Sequence, residues 1–225
     1  MQEILDTFFN PAVAAQVLPM LLSGLWMTVK LAALIIPLGL LGGLALALAH
    51  TQTRSRKLRI AINLYVDFFR SFPQLVLVIF VSFATPFIGI ELSPVVALAI
   101  SFMLSTSAYY CEILRAGITA IPPGQTEAAR STGMSAAQTL RHVVLPQAFR
   151  NVLPDLLGNS IEIFKGTSLA SVLGMSELLY SAQSAQSVLF NPTPLVLAAA
   201  IYLALLWPAV RFISALESSR RAQGG

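Results

Sequence analysis

Residues 25–49 read LWMTVKLAALIIPLGLLGGLALALA, twenty-five positions carrying one charge, Lys30. A helix needs about 20 mainly apolar residues to cross the hydrocarbon of a bilayer. This segment is long enough to span and too apolar to be solvated. The rest of the chain has the same character: of 225 residues, 56% are apolar and only 11% charged, and the mean hydropathy is +0.76. A water-soluble domain carries roughly a quarter charged residues. The composition therefore excludes a soluble globule and predicts a polytopic, all-α integral membrane protein.

Four further segments have the length to cross: Ile60 to Ile90, Pro94 to Gly117, Leu156 to Met175, and Leu195 to Val210. The fourth is the least apolar, because it holds Glu162 and Lys165. Together with residues 25–49 these make five expected spans in a single domain over residues 1–225. Basic residues sort by loop. Arg54, Arg56, Lys57 and Arg59 follow the first span, Arg130, Arg141 and Arg150 the third, and Arg211, Arg220 and Arg221 the fifth. Met1 to Leu22, Glu91 to Pro94 and Met175 to Pro194 contain neither Lys nor Arg, but do contain Glu3, Asp6, Glu91 and Glu177. Cytoplasmic loops collect Lys and Arg, so the N-terminus is expected outside and the C-terminus in the cytoplasm. The same rule accounts for the net charge of +4 without invoking nucleic acid. A cleaved signal peptide is not expected, since no basic segment precedes the first apolar one. One cysteine, Cys111, and two histidines, His50 and His142, leave no ligand set for a metal. Trp26 and Trp207 read as interfacial anchors.

The connection from Thr119 to Asn151 is punctuated like folded protein. Pro122-Pro123-Gly124 makes a turn, and Pro suits a helix start. A short helix over Gln125 to Thr132 is expected to stop at Gly133, the residue best suited to a left-handed helix end. Ser135 with Gln138 has capping-box spacing for a second helix, which is expected to end at Pro146. Ala128, Ala129, Ala136, Ala137, Leu140, Val143 and Val144 make the hairpin too apolar for water alone. Either lipid headgroups or another protein must cover it.

Glu127-Ala128-Ala129, then Gly133 after three residues and Val143-Val144-Leu145-Pro146 after nine more, resembles the EAA signature of ABC importer permeases. Other segments resemble the polar amino-acid (histidine/arginine/glutamine-type) branch of that type I importer family. These are Tyr65-Val66-Asp67-Phe68-Phe69-Arg70-Ser71-Phe72-Pro73, the Glu112-Ile113-Leu114-Arg115-Ala116-Gly117 stretch, Leu145-Pro146-Gln147-Ala148, and Lys165-Gly166-Thr167-Ser168-Leu169. The likeness runs from about Trp26 to Trp207. It implies that the hairpin is a coupling helix docking into a cytoplasmic ATPase, with Glu127, Ala128, Ala129, Gly133, Leu145 and Pro146 as the coupling residues. It also implies partners: an ABC ATPase dimer, a second permease subunit, identical or homologous, and a solute-binding protein that delivers an amino acid or a relative such as an opine. The setting it implies is the bacterial cytoplasmic (inner) membrane. No Gly-x4-Gly-Lys-Ser/Thr loop occurs, so ATP and magnesium are expected in the partner and no cofactor in this chain. An alternative for Glu127 is that it only stabilises the helix start.

Charges inside spans are costly and point to function. Asp155, Asn159, Glu162 and Gly166 recur at helical spacing, one polar stripe that must face protein or water. Glu162 with Lys165, and Glu112 with Arg115, are spaced to pair along a helix. The resemblance places Ser71, Phe72, Pro73, Glu162, Lys165, Thr167 and Ser168 along the translocation path; packing between spans is the other use for them. Glu112 and Arg115 read as a structural ion pair. The chain departs from the family at Ser71-Phe72, where Gly-Thr is usual, and at Gly166, where Asp is usual. Two other functions fit these charges: an ion-coupled transporter with Glu112 and Glu162 as proton sites, and a methionine- or metal-type permease of similar size.

Overall fold

The computed structural model describes residues 7–223, with side chains as far as Ser218, and every regular element among them is helical. In chain order these are α1 (Pro11–Gln52), α2 (Arg56–Ser71), α3 (Gln74–Ala84) with a 3-10 turn Thr85–Ile88, and α4 (Pro94–Thr119). Then come α5 (Pro123–Ser131), α6 (Ala136–Thr139), a π-turn Leu140–Val144 and α7 (Leu145–Gly166). A 3-10 segment Thr167–Leu173, α8 (Leu178–Leu189) and α9 (Thr193–Gln223) complete the chain. α1, α4 and α9 are each long and apolar enough to cross a membrane, and α2 with α3 make a fourth, broken candidate. The protein is thus a multi-pass membrane protein.

Four expectations need correction. The first span was placed from Leu25, but α1 already begins at Pro11. Its early turns are held by packing, because Val17 and Leu21 are buried with Leu178, Ala182, Ala185 and Ala198. The second span, Ile60 to Ile90, is not one helix. Phe72 adopts φ −85°, ψ 129°, because the ring of Pro73 disfavours helical geometry in the residue before it. The second hairpin helix does not end at Pro146. It runs through the π-turn into α7, and the Leu145 N–H bonds to Leu140 O five residues back. That wide turn relieves the clash a proline ring makes with the carbonyl four residues earlier. Finally, α8 was not expected at all, since Met175 to Pro194 read as an outward loop.

The chain divides into two compact units. The first comprises residues up to Ile35, Gln74–Ser101 and from Ile161 onward. Its core is the α1–α8–α9 cluster just described, with Leu25, Leu195 and Tyr202 packed against it. The second comprises Ile36–Pro73 and Phe102–Ser160. There α1 crosses α4 at contact distance: a Cβ built on Gly43 would sit 2.8 Å from the Cys111 backbone nitrogen. Small residues permit such approach between spans, and the resulting dispersion contacts hold helices together in lipid. Tyr65 of α2 is fixed on the same face of α4, donating to Leu104 O at 2.9 Å and meeting Ser107 Oγ at 2.8 Å.

Candidate functional site

The hairpin lies wholly within the second unit. Pro122 and Pro123 open α5, and its far end is closed by two backbone bonds: Met134 N–H to Ala129 O at 3.4 Å and Gly133 N–H to Arg130 O at 3.1 Å. That pair is the Schellman arrangement, and it requires Gly133 to sit at φ +88°. Arg130 reaches over the turn to Met134 O at 2.6 Å. Immediately after it, the Ser135 N–H donates to Gln138 Oε1 at 2.8 Å and the Gln138 N–H to Ser135 Oγ at 3.3 Å, a complete capping box. Gln147 ties the base, donating to Val143 O at 2.8 Å and meeting Gln125 at 3.5 Å. The hairpin is thus braced from both sides by its own sequence.

Its faces differ. Ala129 is buried and Thr139 and Val144 lie inside. The methyl of Ala129 therefore seats α5 on its own unit rather than on a partner. Glu127, Ala128, Gly133 and Pro146 are exposed, and Leu145 is half-buried. Glu127 is the fifth residue of α5, too far along to cap its start, so the helix-stabilising alternative loses its geometry. Only its backbone carbonyl is engaged, by Ser131 Oγ at 2.9 Å. Among the described residues no group pairs with its carboxylate. Gly133→Ala places no atom within 4 Å of a neighbour, so its whole effect is backbone strain of about 1–2 kcal/mol. Detergent unfolding titrations should register that loss. Gly124→Ala, also in open space but inside α5 and without a positive φ, should raise the midpoint slightly instead.

Also in the second unit, Arg115 clasps Glu112 through Nη2 to Oε1 at 2.6 Å and Nε to Oε2 at 3.3 Å. Arg70 of α2 approaches the same carboxylate at 4.0 Å, and its own carbonyl accepts from the Tyr109 hydroxyl at 3.1 Å. Arg70 was quoted in the motif but not singled out. With Asp67 and His50 these groups surround a cavity of about 260 Å³. Ser71 and Pro73 at the helix break are exposed, and Phe72 stacks on Phe68 with ring centroids 5.3 Å apart.

In the first unit, Lys165 bonds to Glu162 at 2.5 Å, both well exposed, whereas Thr167 is fully buried and its hydroxyl donates to Phe164 O. Ser168 is half-buried. Glu162 is exposed; earlier on α7, in the second unit, Asp155 is exposed and Asn159 is half-buried beside Tyr110.

One polar centre went unread in the sequence. Glu177, taken for an acid of an outward loop, is fully buried. It accepts from the Leu179 and Tyr180 N–H groups at 2.9 and 2.7 Å and from the Tyr202 hydroxyl at 3.4 Å. The Thr28 hydroxyl lies 3.5 Å from it and 3.2 Å from Gly24 O, one proton shared between two acceptors, while Thr28 Oγ1 itself accepts from the Leu178 N–H. Glu177 thus caps α8 and joins it to α1 and α9. A Ser-Glu dipeptide before an apolar helix was the available clue.

The family described as binding-protein-dependent transport system inner membrane component matches residues 35–222. The probable amino-acid ABC transporter permease protein YckA of Bacillus subtilis (strain 168) is 36% identical over 213 residues, 94% of each chain. The L-cystine transport system permease protein TcyB of the same organism is 38% identical over 165 residues, 73% of this chain and 70% of that one. Among solved structures, the crystal structure of an amino acid ABC transporter with histidines superposes with a TM-score of 0.82 at 33% identity, covering 91% of this chain and 96% of that one. An inward-facing MetNI methionine ABC transporter chain shares the fold, at 21% identity and a TM-score of 0.68 over 88% of this chain and 96% of that one.

Proposed function

The chain belongs to the family of binding-protein-dependent transport system inner membrane components, a permease of an ABC importer, and we propose that its cargo is an amino acid or a close relative such as an opine. The names and the crystal structure of its relatives support that substrate class over the methionine or metal type, whose solved representative is more distant. The mechanism is alternating access across the bacterial cytoplasmic membrane, through five spans with the N-terminus outside. α7 with its 3-10 extension supplies the span that its own hydropathy leaves weak. α5 then lies in the cytoplasm as the coupling helix. ATP is hydrolysed by a separate ATPase dimer, and a solute-binding protein delivers the cargo from outside.

One observation carries the proposal: the exposed carboxylate of Glu127, partnerless among the described residues, on a helix opened by Pro122 and Pro123 and closed by the Gly133 turn. A clamped helix transmits a push, and a carboxylate with no use inside its own chain is available to another. The exposed carboxylates of Asp155 and Glu162 on α7 support a second permease subunit, since charged groups inside a membrane face protein or water. An ion-coupled mechanism loses one of its two proton sites, because Glu112 is held by Arg115 with Arg70 beside it. The test is affinity purification from the native membrane in mild detergent, followed by identification of every chain retained. An ABC ATPase and amino-acid-stimulated ATP hydrolysis in proteoliposomes are expected. Retention of no ATPase, with uptake that follows a proton gradient, would overturn the proposal.

A further inference from the structure

In the second unit, the C-terminal end of α1, the start of α2, the end of α4 and the hairpin line an open cavity of about 580 Å³. Arg59, Arg130 and His50 line it together with Thr126, Thr139 and Ile118, and no carboxylate does. The neighbouring cavity of about 260 Å³ is balanced, with Glu112 and Asp67 set against Arg70 and Arg115. Here both guanidinium groups donate to backbone carbonyls: Arg59 through Nε and Nη2 to Thr53 O at 3.3 and 2.9 Å, and Arg130 to Met134 O at 2.6 Å. Among the described residues no carboxylate pairs with either.

A second observation is independent of charge. Thr139 is 2% exposed, and among the described residues its hydroxyl has no partner. Helical threonines normally return their proton to a carbonyl one turn back, as Thr51 does to Ala47 and Thr119 to Arg115, both at 2.9 Å. A buried hydroxyl left over beside a cavity marks an absent hydrogen-bond partner. Two uncompensated cations and a spare donor describe a site for a tetrahedral oxyanion.

We propose that this cavity binds a phosphate anion, supplied by the headgroup of an anionic phospholipid or by free phosphate. Arg59 and Arg130 neutralise the charge, and the Thr139 hydroxyl, closed off from solvent in this structure, turns to donate to a phosphate oxygen. The occupied site ties α5, through Arg130 and Thr126, to the ends of α1 and α4, stiffening the lever where it meets the spans. The lipid source rests on the cytoplasmic placement of the hairpin; the anion chemistry does not.

The experiment uses the purified assembly, delipidated in detergent, with lipid retention read by native mass spectrometry and unfolding by a thermal scan. Phosphatidylglycerol should be retained about tenfold more tightly than phosphatidylcholine. Arg59→Gln with Arg130→Gln should weaken that retention by about tenfold, whereas Arg54→Gln with Arg150→Gln, an equal loss of charge outside the cavity, should change it by less than about twofold. Stabilisation by inorganic phosphate over chloride at matched ionic strength, without a phosphatidylglycerol preference, assigns the site to the free ion. No preference for either probe, or equal losses in both double variants, overturns the proposal. Should the Arg59→Gln/Arg130→Gln protein not elute as a single species, Thr139→Val decides. Loss of anion binding with an unchanged unfolding midpoint in the absence of anion is the expected result, and unchanged binding overturns it. Neither readout depends on transport, so failure here is distinguishable from failure of the transport assignment.

Discussion

Glu127→Lys should leave the chain inserted in the membrane and abolish uptake. The substitution touches no contact inside the chain, because the carboxylate has no partner among the described residues and sits on an exposed face of α5. Folding and insertion should therefore match the parent. At the proposed interface the expected effect is large: the introduced lysine would oppose the donor that the coupling proposal places on the ATPase, cation against cation. Truncating one partner of a buried, hydrogen-bonded charge pair between proteins costs about 2–5 kcal/mol, mostly in dissociation rate. At about 1.4 kcal/mol per tenfold, association with the ATPase should weaken at least roughly thirtyfold. Parallel measurement of membrane insertion, ATPase retention and uptake checks each step. Parental uptake by Glu127→Lys would remove Glu127 from the coupling surface.

The second large effect is expected at Glu177. Replacing it by leucine keeps the volume near parental but strips the acceptor from the Leu179 and Tyr180 N–H groups and from the Tyr202 hydroxyl. Each buried donor left unmade costs about 1–3 kcal/mol, so Glu177→Leu should lose roughly 3–5 kcal/mol. Glu177→Gln keeps one acceptor oxygen and should lose far less. Unfolding midpoints in detergent rank the three proteins. A Glu177→Leu protein as stable as the parent would show that the α1–α8–α9 junction holds without the carboxylate. Because α8 begins at Leu178, proteolytic cleavage within residues 178–189 should rise in the leucine variant only.

Much of the hairpin was legible in advance because its determinants are neighbours in sequence. Proline turn, positive-φ glycine and Ser-x-x-Gln box act over three to five residues, and each fell where the spacing put it. Pro146 misled for a related reason. Its ring clash is local, but the remedy is a π-turn, a register change that apolar periodicity does not announce. The break at Pro73 was equally local and was passed over because hydropathy runs on across it. Ala129 belongs to the same signature as Glu127, yet one faces the chain and the other faces out; a motif fixes spacing, and packing assigns the faces.

That this chain lives in lipid, is helical in every regular element of its described residues and carries a capped hairpin between apolar segments follows from composition and short-range hydrogen bonding. Hydrocarbon offers the backbone no partners, so each segment must satisfy its own N–H and C=O groups, and a helix does so locally. Where side chains end up is another matter. Glu177 is buried because Thr28, 149 residues earlier, and Tyr202, 25 residues later, close over it. The cationic cavity likewise exists only because residues near 50, 59, 118 and 139 converge. Contacts between distant segments depend on how helices cross, and the crossing is set by close packing at sites such as Gly43 that no linear window spans.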